Sequence, residues 1–384
     1  MKAVAVFPGT RELKIIEQEE PQITRLMEVK LRILEVGICG TDKEICSFEY
    51  GTPPDGSDYL IIGHESLGEV VEVGTGVESL KTGDLVVTMV RRPCPHERCL
   101  PCRTGHQDFC ITGDYTERGI KGRHGFMAEY VVDDAQYMAL VPRELRETAV
   151  LVEPMTIAAK ALFQSDKILR RFPWYDPESF RRQSERTFHA LVLGAGAVGL
   201  LGMVALRSLG FDTYVYDRAQ APNLKSQLVE SIGAHYVSEQ GIKDFAHLVG
   251  DVELVYEATG ASQLAFRAMQ VLAPNSIFIF TGVPALGATS HVDTDAIMRN
   301  AVLKNQVIFG TVNAGKEGFE AAIRELTVAA QRWPGAAQSL ITGRYPLDAY
   351  RTLLLGDPGG IKNVLSFDPM RVPAAGASRT HTSA

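Results

Sequence analysis

The run Ala190-Leu191-Val192-Leu193, followed by Gly194-Ala195-Gly196-Ala197-Val198-Gly199 and an apolar helical pattern to Leu209, constrains this chain most. A short, fully apolar strand that enters a glycine turn and then a helix is the start of a βαβ unit. Such a unit needs parallel strands covered by helices. Gly194 permits the tight turn, Gly196 lets backbone approach a pyrophosphate, and Gly199 lets the helix pack on the strand. Together with Val198 they are the candidate phosphate-side residues. The helix N-terminus offers free N–H groups and a positive dipole end. A second strand, Thr213-Tyr214-Val215-Tyr216, ends at Asp217, roughly 20 residues further on, where a carboxylate can accept from adenosine ribose hydroxyls. Arg218 follows at once, and an Arg in that turn can accommodate a 2′-phosphate. The alternation continues through Val252–Tyr256 to Thr259-Gly260, and through Ser276–Phe280 to Thr281-Gly282-Val283. Loops at the carboxyl ends of parallel strands face the ligand crevice, so Thr259, Thr281 and Val283 are expected beside the nicotinamide. The uninterrupted run Ile277-Phe278-Ile279-Phe280 is expected at the sheet edge, where exposed backbone invites pairing with a second copy.

Residues 1–36 alternate apolar and polar positions, the period of β-strands. Gly68–Gly74 and Gly83–Val87 repeat the pattern between glycine turns. A small, mostly antiparallel β-rich domain is predicted. Within it, Cys39-Gly40-Thr41-Asp42 and Gly63-His64-Glu65 supply a thiolate, an imidazole and a carboxylate, a donor set that suits Zn²⁺. Three protein ligands leave one position open, as a catalytic zinc needs. Six cysteines are present, and four of them form Cys94-x4-Cys99-x2-Cys102-x7-Cys110. In a long chain of ordinary composition that spacing reads as a closed structural zinc site, not a disulfide frame. His96 is the alternative ligand to Cys94.

Taken together, the two cysteine clusters and the glycine fingerprint resemble the zinc-dependent medium-chain alcohol dehydrogenases, and more closely their glucose dehydrogenase branch. The resemblance implies a GroES-like β-rich catalytic domain plus a Rossmann doubly wound nucleotide-binding domain. The expected limits are 1–188 with 308–384 for the former and 189–307 for the latter. It further implies a catalytic zinc held by Cys39, His64 and an acid, Glu65 or Glu153, and a second, structural zinc on Cys94, Cys99, Cys102 and Cys110. Thr41 is implied as the residue that passes the proton outward. Glu117 and Asn313 are implied as sugar contacts, with Thr41 and Glu153 beside the substrate. The implied reaction moves hydride from the C1 hydroxyl of an aldose, glucose or similar, to NAD(P), and gives the lactone. This chain departs from the branch at Val90 and Ile157, where the branch often carries an Asn and an Asp. A polyol, threonine or simple-alcohol dehydrogenase is the alternative, and a non-catalytic nucleotide-binding protein stands further off.

The formal charge of −7 argues against a general nucleic-acid binder. No apolar run reaches the roughly 18 residues of a membrane span. Met1-Lys2-Ala3-Val4 runs straight into a strand pattern, so a cytoplasmic protein is expected. The Arg-, Pro- and aromatic-rich stretch 165–188 is expected as an insertion, and the tail from Arg371 as disordered. A homodimer or homotetramer is expected. NAD is the expected cofactor, with NADP secondary, because Asp217 would repel a 2′-phosphate.

Overall fold

The computed structural model describes residues 1–176, 187–239, 251–284 and 291–368. The tail from Arg371 and part of the 165–188 stretch lie outside these residues. The chain forms two compact units, Met1–Leu151 with the chain from Ile341, and Val152–Leu340.

The first unit is built round strand Glu28–Gly37, in which Val29, Leu31, Ile33 and Val36 are buried. That strand pairs antiparallel with Glu65–Val73, Tyr130–Asp134 and Lys362–Ser366. Strands Leu85–Thr88 and Met138–Val141 extend one side, and Ile341–Pro346 closes the other. The alternating pattern thus gives the β-rich, mostly antiparallel unit it predicts. The last strands matter to function, because Lys362–Ser366 lies against the end of Glu28–Gly37 that leads into Cys39.

The second unit holds a six-stranded, all-parallel sheet. Its spatial order is His235–Ser238, Asp212–Asp217, His189–Leu193, Val252–Glu257, Leu272–Phe280, Val307–Gly310. Helices Val152–Leu169, Ala197–Ser208 and Lys316–Arg332 pack against one another. That packing explains why the units part at 151/152 and 340/341 and not at the 188/189 and 307/308 read from sequence. Helical periodicity shows that Val152–Leu169 and Lys316–Arg332 have apolar faces, but not which neighbour covers them. Strand Val307–Gly310 likewise belongs to the parallel sheet, so the chain returns to the first unit only after Leu340.

The expected sheet edge is also corrected. Leu272–Phe280 has a strand on each side, and Val307–Gly310 is the edge. An unbroken apolar run signals burial on both faces, the mark of an interior parallel strand. Ile277, Phe278 and Ile279 are buried accordingly.

Candidate metal centre and cofactor crevice

Gly37 and Glu65 are register partners in antiparallel strands, which brings Cys39, two residues beyond Gly37, beside His64 and Glu65. The ligand atoms of Cys39, His64 and Glu65 all lie within 4.8 Å of one another. His64 and Glu65 are buried and Cys39 is half-buried. Gly37 is required by close approach, since a Cβ there would stand 2.1 Å from Glu65 Oε2. Gly63, at φ +90°, makes the turn into His64 in the left-handed region that favours glycine.

Cys39 caps helix Gly40–Cys46, and its N–H donates to Asp42 Oδ2 at 2.9 Å. Asp42 is fully buried, and its other oxygen lies 3.3 Å from His64 Nδ1. One carboxylate therefore both starts the helix and faces Nδ1 of the imidazole, so Nε2 of His64 is the nitrogen that could take a metal. Burial works against a charge on His64, but Asp42 and then Cys39 hold its pKa well above the usual value. Thr41 follows in the first turn of the same helix and is half-buried.

Lys362 is the residue that sequence reasoning misses. Its buried ammonium donates to both Glu65 oxygens at 2.7 Å and to the Ile38 carbonyl at 3.1 Å. No motif links two residues so far apart in sequence, and only the return strand reveals the pair. The soft, borderline and hard donors of Cys39, His64 and Glu65 fit a divalent zinc. To take such an ion, Glu65 would have to give up a Lys362 hydrogen bond.

The second group is Cys94, Cys99, Cys102 and Cys110, whose sulfurs also lie within 4.8 Å of one another. All four are free thiols. The four residues between Cys94 and Cys99 do not open the cluster, as expected from the small entropic cost of a longer loop. His96 pairs instead with Asp114, so Cys94 is the member that converges. Burial raises the Cys110 thiol, but the Thr112 hydroxyl and the Thr112 and Gly113 amides bring it down to about 6. A thiol so poised is a ready thiolate ligand.

Glu117 is buried and sits directly across from Arg91 in a small sheet. Arg91 Nε and Nη2 each donate to Glu117 Oε1 at 3.0 Å, and its Nη1 reaches the Asp108 carbonyl, inside the cysteine lobe, at 3.3 Å. Two residues on, a Cβ at Gly119 would meet Gly63 O at 2.4 Å, so this loop packs on the turn that carries His64. Val90 is buried and brings no polar group. Glu153, Ile157 and Asn313 belong to the other unit. Glu153 stands in the first turn of helix Val152–Leu169. Asn313 adopts φ +56°, and its Oδ1 accepts from the Ala314 N–H at 2.8 Å.

In the parallel-sheet unit, Gly194, Asp217, Thr259 and Thr281 all follow or end the carboxyl ends of neighbouring strands. A Cβ at Gly199 would lie 1.8 Å from Gly194 O, so the helix does close on the turn as the fingerprint requires. Gly196 is the cap of helix Ala197–Ser208, and Val198 lies in its first turn. Asp217 accepts from the Ala195 and Ala219 amides at 3.1 and 2.9 Å, and from Lys225 Nζ at 3.1 Å. Burial pushes its pKa up, but the Ala219 amide and Lys225 outweigh this and hold it low. Lys225 is a second miss, for a cation eight residues on is not part of the fingerprint. Arg218 and Val283 are exposed. The two loops with Thr259 and Thr281 fit a nicotinamide end, and the Gly194–Gly199 turn fits a pyrophosphate.

The segment 26–143 matches the alcohol dehydrogenase GroES-like domain, and 146–367 matches the glucose dehydrogenase C-terminus. A glucose 1-dehydrogenase of Methanocella arvoryzae is 40% identical over 365 residues, covering 94% of this chain and 98% of its own. One from Thermoproteus tenax is 40% identical over 369 residues, covering 95% and 99%. Among solved structures, Haloferax mediterranei glucose dehydrogenase in complex with NADP, Zn and gluconolactone superposes with a TM-score of 0.84 at 33% identity, covering 96% and 99%. No helix among the described residues is long and apolar enough to cross a membrane.

Proposed function

The chain belongs to the glucose dehydrogenase branch of the zinc-dependent medium-chain alcohol dehydrogenases, and from that premise we propose that it oxidises the C1 hydroxyl of an aldose, glucose or a near relative, with NAD(P) as hydride acceptor and the lactone as product. The observation that carries this reading is the convergence of Cys39, His64 and Glu65 in one pocket of mixed donors. Cys39, His64 and Glu65 would hold a zinc ion there, and such an ion would supply the Lewis acid that lowers the pKa of a substrate hydroxyl. Thr41 takes the released proton outward, Asp42 fixes the tautomer of His64, and Glu117 accepts from a sugar hydroxyl. The four cysteines would hold a second, structural zinc. Gly194, Gly196, Val198 and Gly199 seat the pyrophosphate, while Thr259, Thr281 and Val283 flank the nicotinamide.

Asp217 sets the cofactor balance. Its carboxylate is pinned by two backbone amides, so a 2′-phosphate would have to sit against it. Lys225 is already engaged by Asp217, and one exposed ion pair with Arg218, worth about 0–1 kcal/mol, does not offset that contact. NAD is therefore preferred and NADP secondary. Asp217→Asn shifts the ratio of kcat/KM toward NADP. A parent enzyme that favours NADP tenfold or more would contradict this assignment of Asp217.

The edge strand Val307–Gly310 and the exposed Met298, Val302 and Leu303 support pairing with a second copy, as a dimer or as half of a tetramer. A panel of aldoses, polyols and simple alcohols, followed at 340 nm with both cofactors, tests the substrate class. Turnover of threonine or simple alcohols with none of glucose would refute it.

A further inference from the structure

We propose that Glu257 is a positioning residue that clasps the two loops at the nicotinamide end of the crevice; this rests on the reading, given above, that those loops flank the nicotinamide. Glu257 ends strand Val252–Glu257 and is 1% exposed. Its Oε1 accepts from the Thr259 N–H and hydroxyl, both at 2.6 Å, and from the Gly260 N–H at 2.8 Å. Its Oε2 reaches to the neighbouring strand's loop and accepts from the Gly282 N–H at 3.2 Å. Its main-chain oxygen accepts from the Thr281 N–H at 3.0 Å and the Thr281 hydroxyl at 2.6 Å. The loops touch backbone to backbone. A Cβ at Gly282 would lie 2.2 Å from Gly260 N, and one at Gly260 would lie 2.6 Å from Val283 O.

Each of these side-chain contacts brings a donor to Glu257. A carboxylate, an acceptor on both oxygens, satisfies them all. A Gln keeps one acceptor and turns an NH₂ toward the N–H of the other loop. The Thr259–Gly260 turn and Gly282 are therefore tied to one another through the Glu257 side chain, while Thr281 rests on its main-chain oxygen. A cofactor bound at its adenosine half alone does not sense the clasp; one whose nicotinamide must lie between the loops does.

The experiment compares ADP, which probes the Gly194–Gly199 and Asp217 half, with NADH and NADPH, by calorimetry on the full chain. Glu257→Gln is expected to keep the ADP Kd within about twofold while weakening both dinucleotides roughly tenfold, the worth of a lost charge-assisted hydrogen bond. Its kcat falls with them, since hydride transfer depends on placement. Glu257→Asp keeps the charge but is one methylene shorter, and should show the same asymmetry to a smaller degree; it carries the test if the Gln variant does not fold. Equal weakening of ADP and dinucleotide would mean a general loosening and overturn the proposal. Unchanged dinucleotide binding and kcat in both variants would overturn it too. A parent protein that binds neither ADP nor NADH would overturn the crevice reading itself, and this proposal with it.

Discussion

Removing the Lys362 ammonium would leave Glu65 buried without its ion-pair partner, and breaking a buried pair from one side costs about 3–5 kcal/mol. Lys362→Met should therefore lower the urea midpoint strongly in metal-free protein, and less with zinc present, because the metal takes over the carboxylate. Equal losses with and without zinc would mean that Glu65 never meets the metal. A second buried charge carries a pH dependence. Asp133 sits between Arg92 and Arg118, and although burial raises its pKa, the two guanidinium groups bring it from 3.8 to about 2. With the folded value below the unfolded one, its contribution is present above pH 3.8 and is lost as pH falls through about 2. The contribution is about 2 kcal/mol. Thermal melts across that acid range should show a shallower pH slope for Asp133→Asn than for the parent; an unchanged slope would refute this origin.

At the scale of elements, the strand–turn–helix at Leu193–Gly199 and both cysteine-bearing segments were legible because their chemistry is local. A glycine turn, or four thiols within seventeen residues, announces itself in one stretch of chain. What was not legible depends on pairing between distant elements. Lys362 meets Glu65 only because the last strand lies beside Glu28–Gly37. Arg91 faces Glu117 only through a two-residue strand register. Glu257 belongs to no motif, and Ile277–Phe280 reads as an edge in sequence, because a run of apolar residues reports burial without reporting neighbours. The register at Gly37 gives an element-scale prediction. Gly37→Ala places a methyl at the Glu65 carboxylate, so it should cost the protein its catalytic-site zinc while the four-cysteine zinc stays. Zinc analysis should fall from two ions per chain to one, and a value of two would contradict the tight approach.

On the scale of the whole molecule, one unit is β-rich and carries two metal-ligand clusters, and the other is built on a parallel sheet whose strand ends carry the dinucleotide fingerprint. The edge strand Val307–Gly310 predicts association, and light scattering at micromolar concentration should find a dimer or tetramer; a monomer would contradict it. Under the function proposed, sugar oxidation depends on metal held by Cys39 and His64. The most direct measurement is made on His64→Ala, with zinc content, NAD(P)H binding and glucose-dependent absorbance at 340 nm read on the same preparation. One zinc per chain in place of two is expected, with cofactor binding like that of the parent and no glucose oxidation. Full turnover by a His64→Ala protein that lacks this zinc would contradict it.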